Sequence, residues 1–349
     1  MGKYYTRACN FYYGSSSAEK VEKGLSLPLH GNKFISFDTI EIVTRNNIKK
    51  INIKKVNKLK NQIKKKISFD IQQISKKKIF KGLKFTNLPI LMGVLNLTPN
   101  SFSDGGKYNK KMLGVRHAKK LIRDGCGILD IGGEATNPGS KEVNINEEWN
   151  RIFPTLMKIK NLGKFLSLDT RKSHIMKNGL KNKINLINDI SGLEYDNDTI
   201  TVLKDTKTPF VIHHIQGTPS TMQKNPKYNN VVLDIYDFFE KKIEHVRSNG
   251  IKHNNIILDP GIGFGKNLKH NITILKNISI FHSLGYPVML GTSRKRFIKN
   301  ISGDNDSKER LGGTISSCLF AIMQGVQILR VHDVNEVNQS VKVFNSLNF

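Results

Sequence analysis

From residue 90 onward the chain alternates between two textures. Short apolar runs recur at 91–95, 128–131, 165–168, 184–187, 210–212, 256–258, 288–290 and 327–329. Between them lie stretches of helical spacing at 110–123, 147–160, 231–247, 272–283 and 310–323, a shorter one near 198–204, and a last one at 334–347. Uninterrupted apolar runs mark strands buried on both faces, and parallel strands require helical crossovers. Eight strand–helix units close a sheet without leaving an edge, so the pattern predicts an α/β fold of the (β/α)8, or TIM-barrel, kind.

Upstream the texture changes. Residues 33–45 and 48–56 are β-branched and partly alternating, which predicts short strands. Leu59, Ile63, Ile67, Ile71 and Ile74 follow at helical spacing with lysines between them. That spacing predicts a basic amphipathic helix whose isoleucines dock on a neighbour while its lysines face water. Residues 76–84 read as a linker or a final strand. The expected organisation is a small, basic α+β domain over 1–88 and a barrel over 89–349. A length of 349 residues accommodates both, since one barrel takes about 250.

Charge adds little to this picture. The formal net charge is +28, and residues 1–88 hold 20 Lys and Arg against 5 Asp and Glu. Positive excess suits anionic partners. Lys, Asn and Ile, whose codons are A/T-rich, are abundant throughout, however, so genome composition accounts for much of the charge and a nucleic-acid partner is not expected. Cys9, Cys126 and Cys318 are far apart and outside any CxxC spacing, which argues against a disulfide framework or a zinc site and for a reducing compartment. The first residues contain no apolar signal core, and no run of 18 apolar residues occurs. A cytoplasmic protein without a membrane partner is the expectation.

A barrel of this kind builds its site where strands feed loops at the carboxyl face. Read from the sequence, those positions carry Asn96, Gly132 to Glu134, Asp169, Asn188 with Asp189, His213 with His214, Asp259, Ser293 to Lys295, and Arg330 to Asp333. Arg330 and His332 share a strand face by the period of two. Two readings stay open for them: an anion clamp suited to a diphosphate, or an Arg330 paired with a carboxylate beside a helix-capping His332-Asp333. Asp169, Asn188 and Asp259 offer a carboxylate-and-amide set suited to a planar heterocycle with adjacent N–H donors, with Lys295 as a complementary donor. Gly261 to Lys266, GIGFGK, follows a strand but lacks the phosphate-loop spacing. It reads as backbone approaching a flat ligand covered by Phe264. Adjacent His213 and His214 point to opposite faces and form no metal-binding spacing.

Taken in order, MGVLNLTPNSFSDGG, ILDIGGEATNPGS, LSLDTRK, INDISG, HHIQGTPSTMQ, ILDPGIGFGK, GTSRKRF and RVHDV closely resemble the dihydropteroate synthase family. The likeness runs from about Pro89 to Val334 and leaves residues 1–88 as an N-terminal extension like that of some bacterial members. The resemblance implies condensation of 6-hydroxymethyl-7,8-dihydropterin pyrophosphate with p-aminobenzoate in folate synthesis, by largely dissociative loss of pyrophosphate. It implies that Asp169, Asn188, Asp259, Phe264 and Lys295 bind the pterin, and that Asn96, Thr136, Arg330 and His332 hold the diphosphate. Mg2+ would bridge at Asn96. Phe102, Pro138 and Arg296 would line the p-aminobenzoate slot, where sulfonamides bind, and Asp104 would join Lys295, Arg330 and His332 in catalysis. A homodimer is implied by the same likeness.

Four departures stand out. The usual STRPG of the second loop is here Ala135-Thr136-Asn137-Pro138-Gly139, Asn100 replaces a usual Asp, His213 stands where Met often packs on the pterin, and Arg296 replaces a common Ser. Arg296 or Lys141 is the expected substitute for the missing loop cation. Two competing readings are a pterin-binding methyltransferase-type barrel, against which the diphosphate clamp argues, and a non-catalytic relative whose basic N-terminal domain binds RNA or a protein partner.

Overall fold

The computed structural model describes residues 2–85, 89–98, 112–303 and 306–348. The N-terminal part is a four-stranded antiparallel sheet with two helices: β1 (Tyr5–Tyr13), α1 (Gly14–Glu22), β2 (Leu27–Leu29), β3 (Asn32–Val43), β4 (Ile48–Asn52) and α2 (Asn61–Ser75). Long β3 pairs with β1 along one edge and with β2 and β4 along the other. The run at 48–56 is strand only as far as Asn52, whose side chain accepts from Lys54 N and turns the chain into the 3-10 segment Ile53–Lys58. Helix α2 docks as its spacing predicts, with Ile67 and Ile74 fully buried against Ala8, Phe37 and Ile40.

The sheet is bound to the barrel through the outer edge of β1. An open edge is a template for unwanted pairing, and the 3-10 segment Ile278–Leu284 covers it, with Ser279 Oγ donating to Ala8 O at 2.9 Å. Tyr5 packs edge-on against Tyr236, and its hydroxyl donates to Asp237 at 2.9 Å. Lys3 and Arg45 converge on the same carboxylate at 2.5 and 2.6 Å. At the turn before the last barrel strand, Gly325 has φ +82° and its carbonyl lies 3.1 Å from His30 Nε2. A Cβ there would stand 2.3 Å from Leu29 Cδ2, so glycine permits this approach.

The barrel follows as β5 (Ile90–Asn96), α3 (Leu113–Arg123), β6 (Ile128–Gly132), α4 (Ile145–Ile159), β7 (Phe165–Asp169), α5 (Ser173–Lys181), β8 (Leu186–Asp189), α6 (Thr199–Thr206), β9 (Phe210–His213), α7 (Val231–Ser248), β10 (Ile256–Asp259), α8 (Leu268–Lys276), β11 (Met289–Leu290), α9 (Arg296–Ser302), α10 (Leu311–Met323), β12 (Ile328–Val331) and α11 (Val334–Asn348). All eight strands are parallel, in the order β10-β9-β8-β7-β6-β5-β12-β11. The ring closes between β10 and β11 through a Leu258–Val288 bridge and a 2.9 Å bond from Leu258 N to Pro287 O. The expected (β/α)8 architecture is therefore present, as is the smaller α+β unit before it. The helix expected at 272–283 is instead α8 followed, after Asn277, by the 3-10 segment that covers β1.

Period-two alternation sorts the barrel interior into layers. The lower layer is apolar: Met92, Ile128, Leu186, Val211, Ile257, Met289 and Ile328. Phe80, from the segment after α2, is buried in the same cluster and plugs the amino-terminal mouth. Further toward the carboxyl ends, in the same inward phase, come Asp130, Asp169, Asn188, His213, Asp259 and Arg330. An apolar floor thus supports a polar ceiling at the carboxyl mouth.

Candidate active site

The centre of that ceiling is one guanidinium. Arg330 Nε donates to Asp130 Oδ2 at 2.7 Å and Nη2 to Asp169 Oδ2 at 2.6 Å. Asn188 Nδ2 donates to Asp130 Oδ2 at 3.1 Å. Asp130 is fully buried and Asp169 nearly so. Burial and the carboxylates of Asp130, Glu148 and Asp189 push Asp169 up, while Arg330 opposes them. Burial works against the Arg330 charge, but Asp130 and Asp169 outweigh it and raise its pKa. Arg330 Nη1 has no partner among the described residues. Of the two readings left open by the sequence, carboxylate pairing is therefore present, and it still leaves one face of the fork free.

Around this centre the strand ends keep unsatisfied acceptors. Asn188 Oδ1 and Asp130 Oδ1 are buried with no hydrogen-bond partner, an arrangement that costs free energy unless a ligand or water supplies donors. Asp259 Oδ1 accepts from Gly261 N at 2.8 Å, and burial lifts its carboxyl to about 6. Lys295 Nζ sits 4.1 Å from the centre of the Phe264 ring. Burial, with Arg330 nearby, lowers that ammonium to about 8. The Phe264 ring meets His213 edge-on at 4.5 Å, and His213 Nδ1 lies 3.1 Å from Ile190 O. Burial holds His213 well below the ordinary range, so this ring is neutral and packs as an apolar wall would.

The GIGFGK turn holds its shape by close backbone contact. Gly261 and Gly265 have positive φ, and Cβ atoms there would fall 2.0 Å from His214 O and 2.5 Å from Gln216 O. Lys266 is buried beneath, with Nζ 2.9 Å from His214 Nδ1 and 2.8 Å from Phe264 O. His332 Nδ1 lies 3.0 Å from Ser293 Oγ, and burial beside Arg330 lowers its pKa to about 3, so it is a neutral donor or acceptor. Asp333 pairs with Arg294. Arg296 is exposed at the first turn of α9, and Lys141 is exposed on the β6 loop. Thr136 is half-buried on that loop and Pro138 exposed. Phe102, Asp104 and Asn100 lie outside the described residues.

Sequence reasoning passed over Asp130. Its signal was present: an aspartate in mid-strand, in inward phase with Ile128, inside LDIGG. For a metal, the described residues contain no group of three or more His, Cys, Asp and Glu side chains arranged to hold an ion. Gly132 lies between Asn96 and Asp169, where a Cβ would make ordinary van der Waals contact, 3.6 Å from Asn96 Oδ1 and 3.5 Å from the Asp169 Cβ. The Asn96 amide oxygen, as a single protein donor, suits an ion that keeps most of its waters and draws its remaining ligands from a substrate diphosphate, as Mg2+ does.

A closed barrel with a polar ceiling, a lysine over a phenyl ring and a half-free guanidinium defines a barrel that takes a polar ligand at its carboxyl mouth. The pterin binding enzyme family model matches residues 92–332. The dihydropteroate synthase of Escherichia coli K12 is 39% identical over 256 residues, 73% of this chain and 90% of that protein. That of Synechocystis is 38% identical over 258 residues, 74% of this chain and 89% of the relative. A Yersinia pestis dihydropteroate synthase in a sulfonamide drug complex superposes with TM-score 0.72 at 36% identity, covering 77% of this chain and 98% of that one. The Xanthomonas albilineans enzyme in complex with 7,8-dihydropteroate gives 0.69 at 31% identity, covering 76% and 95%. The chain belongs to the dihydropteroate synthase family.

Proposed function

We propose that this chain joins 6-hydroxymethyl-7,8-dihydropterin pyrophosphate to p-aminobenzoate, giving 7,8-dihydropteroate and pyrophosphate. The observation that carries the reading is the Arg330 centre, where one cation is shared by two buried carboxylates at the mouth of a barrel akin to enzymes of this name. Asp169, Asn188 and Asp259 take the N–H donors of the pterin, Lys295 donates to a ring carbonyl or nitrogen, and Phe264 covers the ring. Arg330 Nη1 and His332, with Asn96 and Thr136, hold the diphosphate. Mg2+, when bound at the Asn96 end with the diphosphate, supplies charge neutralisation for the leaving group.

The chain's own contribution is electrostatic preorganisation. As the C–O bond to diphosphate breaks, negative charge grows beside Arg330, and the carboxylates of Asp130 and Asp169 offset the positive charge that develops on the pterin. The arylamine of p-aminobenzoate then attacks the pterin methylene carbon, forming the C–N bond, and its proton passes to water or to the released diphosphate. Pro138 and Arg296 border the slot for p-aminobenzoate, to which the family likeness adds Phe102, while it adds Asp104 to the catalytic set. Sulfonamides, which share the arylamine shape, enter the same slot. The same reading places a homodimer in the cytoplasm. Among the described residues no helix is long and apolar enough to cross a membrane. The reading is tested by supplying the purified chain with both substrates and Mg2+ and following 7,8-dihydropteroate. No product would contradict it.

A further inference from the structure

The β6 loop, residues 133–144, carries Thr136, Asn137 and Pro138 and lacks the cation that the family's usual sequence provides. It is nevertheless fastened at both ends, and by the same residue of the neighbouring strand end. Arg171, two residues past the inward Asp169, reaches this loop. Its Nε lies 3.0 Å from Glu134 Oε2 and its Nη2 3.3 Å from Glu134 Oε1, at the start of the loop. Its Nη2 also lies 3.6 Å from Glu142 Oε2, near the loop's end. The guanidinium rests 4.0 Å from the centre of the Tyr195 ring, and the Tyr195 hydroxyl donates to Glu142. Glu134 itself joins the two ends, since Oε1 accepts from Val143 N at 2.8 Å.

This cluster differs from a surface ion pair. Glu134 and Arg171 are buried, and Lys172 Nζ adds 3.0 Å and 2.6 Å contacts to Glu134 and Glu148, so every charge in the inner part is matched. A planar fork that binds one carboxylate through two nitrogens, reaches a second and stacks on an aromatic ring has a single orientation, which a lysine at the same position lacks. A third tie, Gly139 N to Pro219 O at 3.0 Å, holds the loop's tip against the loop after β9.

We propose that Arg171 is a positioning residue for the reaction: by clasping Glu134 and Glu142 against Tyr195 it fixes the β6 loop so that Thr136 and Pro138 stand ready for the diphosphate and for p-aminobenzoate. The proposal rests on the functional reading above for the identity of those ligands. It assigns Arg171 no contact with substrate.

The test compares the full chain with Arg171→Met, Arg171→Lys and Glu142→Gln. Glu142 has an exposed side chain, so its variant folds even if Arg171→Met does not. Two readouts are taken: cleavage after Lys141 by a lysine-specific protease without substrates, and kcat and KM for p-aminobenzoate. Arg171→Met is expected to speed cleavage after Lys141 about tenfold while cleavage elsewhere holds, because native cutting tracks local opening. It is expected to raise KM for p-aminobenzoate about tenfold with kcat within about twofold. Arg171→Lys should recover less than half of either effect, and Glu142→Gln should move both the same way by a smaller factor. Unchanged cleavage, unchanged KM, or full recovery by lysine would each overturn the proposal. A wild type without turnover would instead overturn the functional reading, which the cleavage readout does not touch.

Discussion

Arg330 and Asp169 are joined at 2.6 Å from opposite sides of the barrel sequence, one on its last strand and one on its third. The bond bridges two inward side chains in a layer where Asp130 is also buried and bound to the same guanidinium. The site is therefore a buried charge network before any ligand arrives, and its stability and its chemistry are coupled.

Removing the cation should expose that coupling. Arg330→Met leaves Asp130 and Asp169 buried and uncompensated, and is expected to cost about 3–5 kcal/mol of folding stability. Asp130→Asn in the same background should return part of the loss, because it withdraws one uncompensated charge. Denaturant unfolding of the single and double variants at neutral pH measures both effects; equal stability of wild type and Arg330→Met would contradict the network.

The strand ends also set a pH dependence. Asp259 is raised to about 6 and Lys295 lowered to about 8, so the ionised pair exists between those values. The kcat/KM for the pterin substrate is expected to fall as pH drops through about 6, where Asp259 takes a proton, and as pH rises through about 8, where Lys295 loses one. Lys295→Arg should abolish the alkaline limb alone. Because the folded-state pKa of Asp259 lies above its ordinary value of 3.8, its ionised form weighs against folding as pH rises from about 4 to 6. Asp259→Asn should therefore match wild type in stability near pH 3.5 and exceed it by at most about 3 kcal/mol above pH 6, while binding pterin poorly.

Phe80 ties the N-terminal unit to the barrel floor. It packs among Met92, Val211, Met289 and Ile328, and Phe80→Ala is expected to destabilise the chain by about 3 kcal/mol through the cavity left behind. The site layer lies at the other mouth, so kcat should stay near wild type at temperatures where the variant is folded. A thermal melt and a turnover assay on one preparation check both; unaltered melting would contradict the plug.

Much of this was legible in the chain, for physical reasons. Strands buried on both faces must be apolar, so all eight barrel runs announce themselves to within about two residues, β11 being one residue shorter than its run because only Met289 and Leu290 pair regularly. The strand-end list located Asp169, Asn188, Asp259, Lys295, Arg330 and His332 because a barrel puts its strand ends together. Asp130 escaped because it sits within a strand rather than at its end. Strand β1 escaped because its polar residues find partners only in the folded sheet, Arg7 on Glu41 and Tyr12 on Asp38. Helix α1 escaped because its buried contact is a serine, Ser17, donating to Lys33 O, rather than an apolar stripe. The contacts of Arg171 were invisible too, since Glu134 and Glu142 stand eight residues apart on one loop and Tyr195 lies in another segment.

Pyrophosphate release distinguishes an Arg330 centre that carries out the condensation from one that only holds the barrel mouth together. The most direct measurement is pyrophosphate release by the wild type, Asp169→Ala and Arg330→Ala, each with Mg2+ and with the pterin diphosphate and p-aminobenzoate supplied separately and together. Release by the wild type that is fast only with both substrates, and at least about a hundredfold slower in folded preparations of either variant, is the predicted result. Release that survives both substitutions would place the chemistry outside the Arg330 centre.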